Sequence, residues 1–406
     1  MNGALNTRGK PKLVVVGNGM AGIKTLEHLL AIAPNLYDIT VFGSEPHPNY
    51  NRILLSPVLA GEMTVDDIVI NDRSWYRQHG ITLHTGKTIT RIDRRNRIVT
   101  ADDGSKAAFD RLLLATGSNA VKLPIPGAAL KGVLSYRDIG DTEAMISASA
   151  SHMHAVVIGG GLLGLEAANG LSRRGMSVTV VHVMPWLMER QLDEEAARTL
   201  QRALELRGVR FKLAASTSEI CGKGGHITGL RFKDGSYLPA DLLVMAVGIR
   251  PNVWLAESCG LRVDRGIVVD DTLQTYDPRI YAVGECAVHR GVSYGLVAPL
   301  YEMAKVCATH LAEVGSHRYL GSVPSTRLKV TGVEVFSAGN FMGTKGSEAL
   351  VLRDPRNGVY RKLVIENDQL IGSVLVGDAG AASTYVDLIA SKQNVAAMRR
   401  ELMFLQ

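Results

Sequence analysis

Two glycine-rich runs, Gly17-Asn-Gly-Met-Ala-Gly22 and Gly159-Gly-Gly-Leu-Leu-Gly164, lie about 140 residues apart. Each follows a short apolar run, Lys12 to Val16 and Ala155 to Ile158. Each precedes apolar residues spaced for a helix, Met20 to Ile32 and Leu162 to Arg174. Second strands are expected at Asp38 to Phe42 and Val178 to Val181. Such a βαβ unit sets the free N–H groups and positive dipole end of its helix against a pyrophosphate. An acid past the second strand then takes the ribose hydroxyls. The first unit offers Gly17, Gly19 and Gly22, with Met20 and Ala21 between them, and then Glu45, somewhat beyond the usual ~20 residues. The second offers Gly159, Gly161 and Gly164. One such turn is a weak signal, but tight turning alone does not account for two, each set between a strand and a helix.

At 406 residues the chain exceeds the size of a single core, and 46% hydrophobic residues suffice for two or three. Leu112 to Ser118 and Leu242 to Pro251 resemble each other; each follows an acid, Asp110 or Asp241, and each closes one nucleotide-binding half. Pro124 to Gly127 reads as the crossing into a second domain and Arg250 to Asn252 as the crossing back. Lys233 to Ser236 is a hairpin signal. From about 321 the runs TRLKV, YRKLVIE and LIGSVLVG alternate like strands, and a helical tail is expected from about Thr384 to Met403. The fold class is therefore α/β: two Rossmann-like dinucleotide-binding domains, the second inserted in the first, plus a C-terminal α+β domain. The boundaries fall at 1–125 and 251–320 for the first domain, 126–250 for the second and 321–406 for the third.

The amino terminus, MNGALNTRGK, has no apolar core of a signal peptide, and no run is long enough to span a bilayer; a cytoplasmic protein without a membrane partner is expected. A net charge of +6 is spread thinly, and its densest cluster, Arg94 to Arg97, reads as a solvated turn rather than a nucleic-acid patch. Cys221, Cys259, Cys286 and Cys307 form no CxxC pair and no metal-ligand rhythm with histidine, so no metal is expected and the four read as small packing residues.

Two adjacent dinucleotide sites suit a relay in which a nicotinamide passes hydride to a flavin, FAD being first and NADH or NADPH second. Thr275 to Ala287 supports that order: an apolar strand ends in Gly284-Glu285, where a carboxylate can bond a ribityl chain and the glycine permits close approach. The helix opening at Ala298-Pro299 can direct its N-terminus at the flavin pyrimidine ring.

These motifs, with ATG at 115–117, AVGIRPN at 246–252 and YAVGECA at 281–287, resemble the pyridine-nucleotide flavin oxidoreductases of the glutathione-reductase-like fold over residues 12 to about 320. More narrowly, EPHPNYNRILLSPVLAGE (45–62), GGGLLGLEAANGL (159–171), MERQLD (188–193) and VGECAVHRGVSYGLVAPLYEMA (283–304) resemble the FAD/NAD(P)H module of the large subunit of assimilatory NAD(P)H nitrite reductases. The resemblance implies that Gly17, Gly19, Gly22, Glu45, Arg52, Thr116, Gly117, Gly284 and Glu285 hold FAD. It likewise implies that Gly159, Gly161, Gly164, Glu166 and Gly248 line the nicotinamide-nucleotide site. Arg52 and Glu166 are the candidate catalytic residues. Arg52 follows an extended PNYN and can clamp a phosphate or the flavin edge, the alternative being a surface ion pair. Glu166, in the first turns of its helix, is a nicotinamide or flavin contact or simply a dipole partner. The family's module continues into [2Fe–2S] and sirohaem/[4Fe–4S] regions that this sequence lacks, which implies a nitrite-reducing centre on another polypeptide.

His182 departs from NADH-selective relatives, whose second strand ends in an acid. Here no carboxylate occurs before Glu189 and no arginine before Arg190, so the choice between NADH and NADPH stays open, with a histidine unrelated to it as the alternative. Coenzyme A disulfide reductases, which the fold resembles, carry their redox cysteine in the segment equivalent to Tyr50 to Pro57, and none is there, which speaks against that class. Three readings remain. The favoured one is an electron-transfer subunit feeding a nitrite or nitrate reductase catalytic subunit. The second is a rubredoxin or ferredoxin reductase serving an iron–sulfur carrier, although Pro57 stands where those relatives tend to carry lysine. The third is an NAD(P)H-sensing flavoprotein acting as a binding module. The sequence leaves the oligomeric state open, a homodimer included.

Overall fold

A computed structural model of the chain describes residues 9–315, 317–330 and 332–405. Residues 1–8, part of the amino-terminal stretch read above, lie outside them. The chain divides into two compact units. The first runs to Arg52 and takes in Ile68–Asn119 and Arg250–Ser322; the second comprises Ile53–Asp67, Ala120–Ile249 and the chain from Val323.

The core of the first unit is a five-stranded parallel sheet in the order Ile280–Ala282, Arg111–Leu114, Lys12–Val16, Asp38–Gly43, Thr82–Thr85. A parallel strand covered on both faces must be apolar throughout, and Leu13, Val15, Leu112, Leu113 and Leu114 are fully buried. The helices Met20–Ile32 and Val297–Leu311 pack against each other. A three-stranded antiparallel sheet, Ile89–Asp93, Ile98–Ala101 and Lys106–Ala108, belongs to the same unit. The basic cluster falls in the turn between its first two strands, but Arg94 points inward rather than to solvent. It bonds the buried Asp277 at 3.1 Å and the Tyr276 hydroxyl at 2.6 Å.

The second unit repeats this plan. Its parallel sheet runs Val133–Ser135, Leu242–Met245, His154–Ile158, Ser177–Val181, Arg210–Lys212, and its three-stranded companion is Thr217–Lys223, His226–Phe232, Tyr237–Pro239. The repeat extends to side chains. The Asp110 carboxylate accepts from the Lys12 amide at 2.9 Å, and the Asp241 carboxylate accepts from the Met153 and His154 amides at 3.0 and 2.9 Å. Each acid thus anchors the start of the strand leading into a glycine turn.

The carboxyl-terminal part is a five-stranded antiparallel sheet, Ser325–Val330, Val333–Gly339, Gln369–Val376, Val359–Glu366, Glu348–Asp354, backed by the helix Ala382–Ser391. That helix is shorter than the expected tail. Lys392 turns left-handed (φ 53°), the Val395 amide bonds the Asp368 carbonyl at 2.7 Å, and only the 3₁₀ turns Ala396–Met398 and Leu402–Phe404 follow. Buried Arg361 fastens these turns by donating to the Met403 and Leu405 carbonyls at 2.6 and 3.0 Å. Among the described residues no helix is long and apolar enough to cross a membrane.

Candidate functional site

Strand register decides what gathers at the carboxyl edge of the first unit's sheet. Val16 lies level with Phe42 and Leu114, and Leu114 with Ala282, so the segments after all four strands emerge side by side. Cross-bonds fix them there: the Gly17 amide to the Phe42 carbonyl, Ala115 to Val16 and Val283 to Leu114. This edge is where open α/β sheets bind ligands.

The three glycines of the turn do different work. Gly17 has φ +113°, and a Cβ on it would lie 2.1 Å from the Ala115 carbonyl oxygen; one on Gly22 would lie 2.8 Å from Ala115 Cβ. Around a Cβ on Gly19, by contrast, nothing comes within 4 Å. The second unit matches it closely. A Cβ on Gly159 would lie 2.2 Å from the Ala246 carbonyl oxygen and one on Gly164 1.8 Å from that of Gly159, whereas Gly161 faces open space. The outer glycines therefore serve packing, and the middle one leaves clear the volume that a pyrophosphate would occupy. Gly19 and Gly161 are also the N-caps of their helices, and neither supplies a side-chain cap. The helices Arg73–Gln78, Ile139–Ser149 and Glu194–Glu205, in contrast, are each capped by an aspartate side chain. The uncapped amides after the glycine turns suit an anion. Met20 and Ala21 open the first helix, and a Cβ on Gly284 (φ +87°) would come 3.0 Å from Ala21 Cβ, which shows how closely that loop approaches.

At the same edge the Glu45 carboxylate accepts from the Tyr50 hydroxyl at 2.6 Å and pairs with Arg52, whose guanidinium lies 5.2 Å from the Tyr50 ring centre. Arg52 thus makes the ion pair weighed as its alternative, and it orients the carboxylate meant for the ribose. Glu285 accepts from the buried Ser118 hydroxyl at 2.7 Å, and Thr116 Oγ1 donates to the Asn252 carbonyl at 2.7 Å. Gly117 turns with φ +64°. Pro299 is the third residue of Val297–Leu311, a helix whose N-cap, Leu296, also lacks a side-chain cap. Tyr50 and Ser118 were missed in the sequence, although both lie inside its quoted motifs. Cys286 is fully buried with its thiol toward the Val283 carbonyl at 3.3 Å, and burial raises its pKa. A cleft of about 730 Å³ in this unit, lined by Arg262, Asp264, Asp270, Asp271, Arg290 and Arg318, includes no glycine-turn residue. Its walls are tied by the Asp271–Arg290 ion pair at 2.6 Å, and the dinucleotide motifs do not converge there.

In the second unit Gly248 turns with φ +114°, and its carbonyl accepts from the Val121 amide at 3.0 Å. His182 lies buried under the turn: the Gly160 amide donates to its Nδ1 at 3.1 Å, and its Nε2 lies 3.0 Å from Glu189 Oε2. Because Nδ1 accepts, the proton resides on Nε2 and is donated to Glu189.

Glu166 makes no hydrogen bond or ion pair among the described residues. Part of its surface remains open, yet protein crowds the carboxyl on nearly every side, and that desolvation pushes its pKa from 4.5 up to about 7. Its polar surroundings are Tyr136, whose buried hydroxyl is raised in pKa first by burial and then by Glu166, and Ser56, close to that hydroxyl but without a bond of ordinary geometry. Arg52 and Glu166 belong to different units.

The elevated pKa has a measurable consequence. As pH rises from 4.5 towards 7 the unfolded chain loses this proton and the folded chain keeps it, so folded stability falls through that window, by up to about 3 kcal/mol. Glu166→Gln should therefore raise the melting temperature at pH 8 by a few degrees and leave it nearly unchanged at pH 4.5. An equal gain at both pH values would show that the carboxyl is not the titrating group.

A model of the family described as pyridine nucleotide-disulphide oxidoreductase matches residues 11–309, and one described as rubredoxin NAD+ reductase C-terminal domain matches residues 324–393. The chain is 51% identical over 387 residues to the NAD(P)H nitrite reductase of Bacillus subtilis, covering 95% of this chain and 48% of that protein. It is 46% identical over 394 residues to the assimilatory nitrate reductase electron transfer subunit of the same organism, covering 97% and 51%. The chain thus spans about half the length of these curated relatives. Among solved structures, a ferredoxin reductase from Rhodopseudomonas palustris superposes with a TM-score of 0.85 at 26% identity, covering 92% of this chain and 93% of that one.

Proposed function

Given that this chain belongs to the pyridine nucleotide-disulphide oxidoreductase family, we propose that it oxidises NAD(P)H at the second glycine turn and holds FAD at the first. The electrons then pass to the redox centre of an assimilatory nitrite or nitrate reductase. The observation that carries this reading is the duplicated turn, each with an open middle glycine and an uncapped helix behind it. FAD, when bound, converts a two-electron hydride donor into a source of single electrons.

The residues of the chain bind and orient. The amides after Gly19 and Gly161 receive the two pyrophosphates. Glu45, held by Tyr50 and Arg52, accepts the flavin nucleotide's ribose hydroxyls, and Glu285, held by Ser118, accepts from the ribityl chain. Gly284, Thr116 and Gly117 bring backbone close to the same ligand, and the uncapped helix at Pro299 offers its amides to the pyrimidine ring. Gly248 lines the nicotinamide side. Glu166, neutral up to about pH 7, can donate a hydrogen bond there. The domains follow the boundaries 1–125 with 251–320, 126–250, and 321–406.

Despite the family's description, thiol chemistry finds no support among the described residues. Cys286 and Cys307 are buried, and burial raises the pKa of both. Cys221 and Cys259 lie in a hairpin strand and at a helix end. The acceptor is therefore reduced directly. A rubredoxin-type carrier is the second reading, favoured by the match over residues 324–393; the higher identity to the nitrite and nitrate reductase relatives favours the first.

The test mixes NADH-reduced protein, without oxygen, with a sirohaem nitrite reductase centre or with rubredoxin. The first should be reduced faster, and a variant with all four cysteines replaced should, once folded, match its parent's transfer rate within about twofold, the changes at buried Cys286 and Cys307 lowering stability rather than rate. Fast transfer to rubredoxin alone would favour the second reading, and transfer to neither would favour a sensor. Loss of transfer in Cys286→Ala with FAD still bound would place a thiol in the relay.

A further inference from the structure

The residue that ends the second strand of the nicotinamide half ordinarily chooses between a ribose 2′-hydroxyl and a 2′-phosphate: an acid accepts from the first and repels the second. In this chain the position is His182, buried and held from both sides, so it cannot itself turn to a ribose. The segment that follows, however, folds back onto the glycine turn. The Met188 amide donates to the Gly160 carbonyl at 3.0 Å, and Met188 is fully buried in the left-handed region at φ 52°, a conformation a non-glycine residue adopts only when its surroundings enforce it. The next side chain is Glu189, whose Oε2 accepts from His182 Nε2 at 3.0 Å and which keeps 25% of its surface open.

We propose that Glu189, positioned by His182, is the carboxylate that recognises the adenosine ribose, and that the chain prefers NADH to NADPH. The inference rests on the nicotinamide nucleotide binding at the second turn, as proposed above. One carboxylate oxygen is committed to His182, and the other, 4.0 Å from Arg190 Nε, remains able to accept a ribose hydroxyl. Arg190 is the competing group, since a guanidinium welcomes a 2′-phosphate. Its side chain is 86% exposed and, among the described residues, reaches only Glu189, whereas Glu189 is fixed against the turn. A 2′-phosphate would meet the fixed negative charge first. The histidine thus lets an acid seven residues downstream occupy the position usually filled by the strand's own terminal residue.

The test uses calorimetric binding of ADP-ribose and 2′-phospho-ADP-ribose to the intact flavoprotein, which needs no turnover. The parent should bind ADP-ribose about 10- to 100-fold more tightly, the scale of one charge-assisted hydrogen bond. Glu189→Gln should bring the two affinities within about threefold of each other, mainly by weakening ADP-ribose. His182→Asn should lower the discrimination in the same sense, whereas a purely structural role for the histidine would weaken both ligands alike. Equal binding in the parent, a preference for the phosphorylated ligand, or a discrimination that survives Glu189→Gln would overturn the inference while leaving the site intact. Binding of neither ligand would overturn the site assignment itself, and this inference with it.

Discussion

Gly161→Leu should give a folded, yellow protein whose flavin NADH reduces at least about 100-fold more slowly. The physical case rests on what surrounds the residue. A Cβ added there would meet no protein atom within 4 Å, so the backbone has room for a side chain to leave it. The expected stability cost is only about 1 kcal/mol, from replacing a favourable N-cap. The volume it fills is the space above the uncapped amides, and displacing a pyrophosphate from two charge-assisted hydrogen bonds costs roughly 3–6 kcal/mol, or about 150- to 25,000-fold in affinity. Gly164→Ala is the contrasting control. Its Cβ would sit 1.8 Å from the Gly159 carbonyl oxygen, so it should damage the fold of this half rather than binding alone. Rapid-mixing reduction and a thermal melt separate the two effects. A Gly161→Leu protein reduced at the parental rate would remove the nucleotide from this turn.

Gly19→Leu should behave in the complementary way. Its surroundings are equally open and its helix equally uncapped, so the chain should fold, but it should purify largely colourless and take up added FAD poorly. FAD bound only to the native state stabilises it by about 3 kcal/mol at 100-fold saturation. The flavin-free variant should therefore melt several degrees below its parent, and excess FAD should rescue the parent's apoprotein but not the variant. Extractable flavin per chain, with the melting temperature with and without FAD, checks this. A variant that retains a full complement of FAD would show that the first turn does not hold it.

The parts legible in the sequence are those in which one residue type answers one local demand. Gly17 and Gly159 need positive φ and room beside a carbonyl, and only glycine meets both. Buried parallel strands such as Leu112 to Leu114 must be apolar on both faces, and the alternating runs after 321 mark the strands of an antiparallel sheet. What escaped depends on residues far apart in the chain. Ser118 meets Glu285 only because two strands lie level across the sheet. His182 looked like a missing acid because its partner, Glu189, arrives through a backward fold fixed by Met188. Arg94 looked solvated because nothing near it in sequence foretold Asp277, and the tail helix looked continuous because the stop at Lys392 is set by contacts with Asp368 and Gln369 rather than by a glycine or proline.

The visible spectrum of the purified parent protein, recorded without oxygen during stepwise addition of NADH, bears most directly on the claim that two like turns hold two different dinucleotides. About one FAD per chain, bleached by about one equivalent of NADH, is the predicted result. A colourless protein that refuses FAD, or a bound flavin that neither NADH nor NADPH can bleach, would contradict it.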